Sequence, residues 1–195
     1  MSQKNSLDKS LLLPIEDTFK LKKRGVVIIG HIERGVLHIG QEVDIVGWKD
    51  SILKTTVTGI EMFHRGVMKA EMGSPVGVLL GDLAYDDIKQ GMVIASPNSI
   101  KPHRKFKCEV YILHKDEKGR SRPFFSGYTP GFFIYNIRLS GRFTLPDNIA
   151  SVMPGDTAHL NVELIMPMAL EIGTSFWIAE GAVKVGQGRV IELLD

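Results

Sequence analysis

The stretch KFKCEVYILHK, residues 105–115, alternates apolar and polar side chains. Successive side chains of a β-strand point to opposite faces, so this spacing places Phe106, Cys108 and Val110 on one face. The pattern predicts a strand with one buried side, in which the cysteine is a packed residue. Because Cys108 is the single cysteine of the chain, it excludes an internal disulfide and a cysteine-cluster metal site, and a reducing compartment is expected.

Further runs with a period of two extend along the chain, bounded by Gly, Pro and Asp. They are RGVVIIGHIERG (24–35), QEVDIVGW (41–48), LKTTVTGIEMF (53–63), SPVGVLLG (74–81), GFFIYNIRLSGRFTL (131–145), AHLNVELIM (158–166) and GQGRVIELL (186–194). Many short strands separated by turns predict a sandwich or a barrel. The segment LAYDDIKQG (83–91) has no clean apolar helical face and predicts a single turn.

The length of 195 residues is long for one domain and suits two small ones. The segment SPNSIKPHRK (96–105) carries two prolines and few apolar residues, which is typical of a linker. We therefore predict an all-β chain of two consecutive closed barrels. The predicted organisation is a disordered tail at 1–10, a first barrel at 11–96, a linker at 97–104 and a second barrel at 105–195.

The net charge of +2, from 24 basic and 22 acidic residues, gives no general attraction to nucleic acid or to anionic membranes. Any polyanion site must therefore be local. No run approaches the ~18 apolar residues of a transmembrane helix, and the opening MSQKNSLDKS has no apolar signal stretch. We expect no membrane partner.

Catalytic motifs are missing from these residues. There is no phosphate-binding loop, no Gly-x-Ser-x-Gly elbow and no His-Glu-x-x-His pair, and the six histidines are not spaced as a metal pair. The stretch DEKG (116–119) has the Asp-x-x-Gly spacing of a nucleotide switch, but a turn between strands is favoured. We expect a chain that is not itself an enzyme.

The stretch GIEMFHRG (59–66) packs a carboxylate, an aromatic ring, an imidazole and a guanidinium between two glycines. Strand alternation would put Glu61 and Phe63 on one face, and Met62 and His64 on the other. The stretch is either a binding site or the end of a strand, and its local pattern does not decide which.

Six segments, in order along the chain, carry a family resemblance. They are LLLPIEDTFKLKKRGVVIIGHIERGVLHIGQEVDIVG (11–47), TGIEMF (58–63), VGVLLGDL (76–83), GMVIASPNSIKPHRKFKCEVYILHKDEKGR (91–120), PFFSGY (123–128) and VMPGD (152–156). Together they resemble the second and third domains of elongation factor Tu, of a divergent bacterial or organellar type. The resemblance implies two β-barrels that follow a GTPase domain in the family. That domain has no counterpart in these residues, which leaves open a fragment, a processed product or a paralogue without it.

The resemblance also implies site residues. In the first barrel, which holds the aminoacylated 3′ end of tRNA in the family, the matching positions are Glu16, Asp17, Phe19, Glu61, His64 and Arg65. His64 and Pro75 stand where the family usually has an arginine and an asparagine. In the second barrel, Arg120, Ser140 and Gly181 are compatible with contacts to the T stem. Thr129, Gly131, Met166 and Ala179 replace basic or polar family residues, which predicts weaker binding with a shallower salt dependence.

The resemblance implies aminoacyl-tRNA, the GTPase domain of elongation factor Tu, the exchange factor Ts and the ribosome as partners. It implies no cofactor in this chain, since GTP and Mg²⁺ bind the family's GTPase domain. The expected location is the cytoplasm, with a mitochondrial or plastid matrix as the alternative. The alternative function is a non-catalytic protein-interaction module that has lost tRNA binding.

Overall fold

The computed structural model describes residues 10–21 and 25–195, which divide into two compact units between Pro102 and His103. Of the predicted tail, only Ser10 is described, and its carbonyl accepts a hydrogen bond from Arg34 Nε at 3.0 Å. Helical structure in the described residues is limited to two single 3-10 turns, Tyr85–Asp87 and Lys115–Glu117. None of the described helical turns is long enough to cross a membrane.

The first unit is a closed barrel. Its strands are β1 Leu12–Leu21, β2 Gly25–His31, β3 Val36–His38, β4 Glu42–Gly47, β5 Lys49–Met62, β6 Arg65–Val67, β7 Lys69–Glu71, β8 Pro75–Leu80 and β9 Val93–Ala95. Six strands run in the order β4-β9-β1-β2-β8-β5, and pairing of β4 with β5 closes the ring. Strand β6 extends β5 as a hairpin, while β3 and β7 form a separate two-stranded sheet.

Two long strands turn the corners of this barrel. Strand β1 pairs with β9 through Leu12–Pro14 and then with β2 from Ile15 onward. The β1–β2 register shifts between Ile15 and Asp17, so Glu16 occupies a bulge. Strand β5 pairs first with β4 and then with β8. Closure leaves the six ring strands without a free edge.

The second unit is a closed barrel with the strand order β10-β13-β12-β11-β14-β15. Its strands are β10 Lys101–Ile112, β11 Gly131–Ile134, β12 Ile137–Thr144, β13 Thr157–Leu170, β14 Ser175–Glu180 and β15 Val183–Leu193. Phe132 lies at the centre of the core, with its ring centroid 5.2 Å from that of Phe143 and 5.4 Å from that of Phe176. All three phenylalanines are fully buried.

The prediction of two closed barrels is confirmed. The alternation of residues 105–115 gives the predicted buried face, with Phe106, Cys108, Val110 and Ile112 in the core. The stretch 83–91 forms the predicted single turn. Strand β10, however, begins at Lys101, inside the segment predicted as a linker.

Two predicted strands contain hairpins that the alternation did not reveal. The run 131–145 is divided into β11 and β12 by Tyr135 and Asn136, which have φ of 46° and 68°. In GIEMFHRG, β5 ends at Met62, and Phe63 and His64 have φ of 50° and 63°. Positive φ at both central residues defines the tight hairpin turn that suits the twist of β-strands. The predicted sharing of faces by Glu61 and Phe63 was therefore wrong, because alternation stops at the turn.

Candidate functional site

One outward row of residues crosses five neighbouring strands of the first barrel. Asp17 pairs with Ile29, Ile29 with Gly77, Gly77 with Glu61, and Glu61 with Gly66. The row thus joins two carboxylates from stretches 44 residues apart in sequence. At ~4.8 Å between strands, their Cα atoms are separated by roughly 14 Å.

A notch lies in this row at Gly77. A Cβ atom placed there would lie 3.6 Å from Ile29 Cδ1 and 3.8 Å from Glu61 Cβ, so the missing side chain leaves a gap between these two neighbours. Glu61 also faces a shallow pocket whose other lining residues are Ile39, Gly59, Ile60, Gly66, Val67, Met68 and Leu79. The site therefore combines one exposed carboxylate with an apolar wall and a floor of glycine backbone.

Phe19 lies on the same outer face, one row from Asp17. It pairs with Val27, Val27 pairs with Leu79, and Leu79 pairs with Gly59. Phe19 is 49% exposed, so β1 presents an aromatic ring on this face two residues beyond Asp17. The Asp17 carboxylate accepts a hydrogen bond from the backbone amide of Thr18 at 2.8 Å, which orients it within β1.

Glu16 is held differently from its neighbours. Its carboxylate oxygen Oε1 lies 2.8 Å from Nδ1 of His31, on the adjacent strand β2. The bulge at Glu16 breaks the β1 alternation, so Glu16 and Asp17 do not occupy successive positions of a regular strand. The structure therefore brings Asp17, Phe19 and Glu61 onto one sheet face and pairs Glu16 with a histidine.

The β5–β6 hairpin projects beside this face. Phe63 and His64 form its turn, Arg65 starts the return strand opposite Met62, and all three side chains of the turn and its exit are exposed. Phe63 is 79% exposed and Met68 is 74% exposed. The predicted residues His64 and Arg65 thus lie at the tip of the hairpin and not on the outer face that carries Asp17 and Glu61.

The three candidates of the second barrel lie at its surface in different settings. Arg120 is only 12% exposed, since its Nη1 donates to Tyr128 Oη at 2.8 Å and forms an ion pair with Glu180. Its guanidinium also lies 4.7 Å from the Tyr128 ring centroid. Gly181 follows Glu180 and has a φ of 57°, which a turn requires. Ser140 is exposed on β12, opposite Gly131.

Sequence reasoning missed Gly77, Leu79 and Ile29 as parts of the first-barrel site. No local signal marks them, because they read as ordinary residues of alternating strands and are brought beside Glu61 only by the register of β2, β8 and β5. Within the described residues, no cluster of His, Cys, Asp and Glu could hold a metal ion. Together, these features define a candidate binding surface on a tandem β-barrel protein.

Two family models match the chain. The model for elongation factor Tu domain 2 covers residues 25–95, and the model for the elongation factor Tu C-terminal domain covers residues 99–194. The chain belongs to the elongation factor Tu family and carries these two domains. The matched domains are the family's non-catalytic barrels, so the translation-factor origin predicted from the sequence is confirmed.

Proposed function

We propose that this chain binds the aminoacylated 3′ end of tRNA on the outer face of its first barrel and so serves in the delivery of aminoacyl-tRNA to the ribosome. The observation that carries the proposal is the row that joins Asp17 to Glu61 across the notch at Gly77. A terminal base is flat and needs a surface without protruding side chains. The glycine backbone at Gly59, Gly66 and Gly77 offers one beside Leu79.

The two carboxylates have complementary uses in this proposal. Glu61 can accept a hydrogen bond from a ribose hydroxyl or a base amine at the notch. Asp17 can attract the α-ammonium of the esterified amino acid, which only the aminoacylated form carries. Phe19 supplies an apolar wall, while Glu16 contributes through His31. His64 and Arg65 at the hairpin tip can contact the adjoining phosphates.

The proposal extends to the rest of the factor. GTP and Mg²⁺ act through a GTPase domain that works with these two barrels. The second barrel contributes contacts to that domain and to the exchange factor Ts. Arg120, Ser140 and Gly181 of the second barrel contribute contacts to the T stem. The process takes place where aminoacyl-tRNA is used, in the cytoplasm or, alternatively, in a mitochondrial or plastid matrix. The affinity of the barrels alone is weak, because the family's site is built from three domains.

Titration with aminoacylated and deacylated tRNA at two salt concentrations tests this function. Asp17→Ala should reduce the preference for the aminoacylated form by ~1–3 kcal/mol, because it leaves the α-ammonium unpaired. Glu61→Ala should weaken binding of both forms by ~1–3 kcal/mol, because it leaves a polar group of the terminal nucleotide unpaired. Gly77→Ala should weaken binding of both forms, since its methyl group fills the notch at ordinary contact distances.

Glu42→Ala is the matched control, because Glu42 is an exposed glutamate on β4, paired with Thr56 away from the notch. It should leave both affinities unchanged. Unchanged binding by all three site variants would exclude the 3′-end site.

A protein-interaction module without tRNA binding is the second candidate. The observation in its favour is that Arg120, the basic residue among the three second-barrel candidates, is held by Glu180 and Tyr128. Its guanidinium is therefore bound within the protein and not directed at an RNA phosphate. In that case neither form of tRNA should bind the wild-type chain, and Glu180→Gln, which frees Arg120, should restore measurable affinity for tRNA at low salt.

A further inference from the structure

The bulge in β1 brings two consecutive carboxylates to the same outer face of the first barrel. Consecutive residues of a regular strand point to opposite faces, but the register with β2 shifts between Ile15 and Asp17, so that Glu16 is an extra residue. The Glu16 carboxylate reaches His31, which is exposed and lies on the same side of β2 as Ile29, the partner of Asp17. Glu16 and Asp17 therefore share this face, with their Cα atoms about 3.8 Å apart.

Each of these carboxylates has one oxygen engaged and the other available. Asp17 Oδ1 accepts a hydrogen bond from the Thr18 amide at 2.8 Å, and Glu16 Oε1 lies 2.8 Å from Nδ1 of His31. Because an ionised carboxylate only accepts hydrogen bonds, Nδ1 of His31 is the donor. Within residues 10–21 and 25–195, the second oxygens of Glu16 and Asp17 have no partner, and no lysine or arginine pairs with either carboxylate. The two side chains thus present two free acceptors on one face.

A primary ammonium group matches this arrangement. It carries three N–H donors, so the single free oxygen of Asp17 leaves two of them without a charged partner. The free oxygen of Glu16, on the neighbouring residue, can accept from a second one. Hydrogen bonds between ionised partners are about twice as strong as those between neutral groups, so a second carboxylate should add selectivity for the charged amine.

We propose that His31 is a positioning residue, which holds Glu16 in place so that Glu16 joins Asp17 in binding the α-ammonium of the esterified amino acid. A glutamate side chain on the surface has several rotamers, and ordering it upon binding costs free energy. The hydrogen bond from His31 restricts Glu16 before the ligand arrives, so less of that cost falls on binding. The inference rests on the function proposed above and adds to it the second ammonium ligand and the residue that orients that ligand.

The amide analogue 3′-phenylalanylamino-3′-deoxyadenosine and its N-acetyl derivative test the proposal, because acetylation removes the charge of the α-nitrogen. NMR titrations of the full chain should show that the ammonium form binds about tenfold or more tightly than the acetylated form. Glu16→Gln should reduce this ratio by about fivefold, since it removes one of the two charges that face the ammonium. His31→Phe should reduce the ratio in the same way. His31→Asn, which keeps an N–H donor, should retain most of it, and a role in folding alone would not predict that difference.

His38→Phe is the matched control, because His38 is an exposed histidine on β3, in the separate two-stranded sheet. It should leave the ratio unchanged. Equal binding of the two compounds by the wild-type chain, or an unchanged ratio in Glu16→Gln or in His31→Phe, would overturn the proposal. If the wild-type chain binds neither compound but still prefers aminoacylated tRNA, the inference fails and the function proposed above stands. If it binds neither the compounds nor tRNA, both fail.

Discussion

The thiol of Cys108 shows how strand alternation fixes the chemistry of a single residue. It is fully buried in the second core, and its Sγ donates to the backbone carbonyl of Leu160 at 3.3 Å. Burial raises the pKa of this thiol to about 12, and the hydrogen bond to Leu160 opposes that rise only in part. The reactive thiolate is therefore scarce at neutral pH.

We expect Cys108 to resist a thiol-specific reagent in the native protein at pH 8 and to react at the rate of a free cysteine in concentrated guanidinium chloride. Because the chain has one cysteine, the absorbance change upon full reaction should correspond to a single thiol. Rapid labelling under native conditions would contradict the buried position.

The residues of the β5–β6 turn show what sequence could not predict. Periodicity identified β5 correctly, and the resemblance directed attention to Glu61, but Phe63 and His64 carry none of the usual Asn-Gly or Gly residues of such a turn. Bulky residues rarely adopt positive φ, so their local preference argues against the turn that they form. Pairing of Met62 with Arg65 and of Ile60 with Val67 imposes the conformation.

The loop that follows β10 contains a 3-10 turn, Lys115–Glu117, which is held by hydrogen bonds to the side chain of Glu117. The stretch DEKG was predicted as a turn from its composition, and the structure confirms it as Lys115–Glu117 followed by Lys118 with a φ of 62°. Tyr111 Oη donates to Glu117 Oε2 at 2.6 Å, and the His114 amide donates to the same oxygen at 2.9 Å. These bonds tie the turn to the strand before it.

This pair of side chains predicts a dependence of stability on pH. The hydrogen bond from Tyr111, followed by that from the His114 amide, lowers the pKa of Glu117 below its ordinary value of 4.5. The stabilisation of the folded protein by ionised Glu117 is therefore fully present above pH 4.5 and is lost as the pH falls through the lowered pKa. The hydrogen bond to Glu117, aided by burial, raises the pKa of Tyr111 above its ordinary value of 10.0. The stabilisation of the folded protein by the neutral Tyr111 hydroxyl is therefore present below pH 10 and is lost as the pH rises through the raised pKa.

Tyr111→Phe removes the shared bond and should therefore lower the free energy of unfolding at pH 7. The difference from wild type should shrink both in acid and above pH 10, which urea denaturation across this range would measure. A difference that stays constant with pH would mean that the hydroxyl contributes nothing through Glu117.

At the scale of the whole chain, composition and the alternation of apolar and polar residues predicted two all-β barrels. The same pattern did not predict the order of the strands within each barrel. Strands β4, β9 and β1 are neighbours in the ring although the chain visits them far apart. Alternation tells which side of a strand is buried, whereas register depends on partners distant in sequence. The carboxylates Asp17 and Glu61 could be identified from the sequence, but the notch between them could not.

Each barrel has its own closed hydrogen-bonding ring and its own core, so residues 103–195 should fold as an isolated chain. Urea denaturation followed by circular dichroism and by Trp177 fluorescence should give coincident, cooperative transitions. Phe143→Ala should lower the free energy of unfolding by ~3–5 kcal/mol, because Phe143 is fully buried between Phe124 and Phe132. Transitions that differ between the two probes would show that this barrel is not one cooperative unit.

The pairing of β10 with β15 closes the second barrel by joining its first strand to its last, with Phe106 opposite Leu193. A ring sealed at that seam has no structural beginning. Its chain could equally open at the tight turn between Glu180 and Val183 and be spliced across the seam, and every strand would keep its neighbours. The closed ring of strands therefore does not depend on where its chain starts.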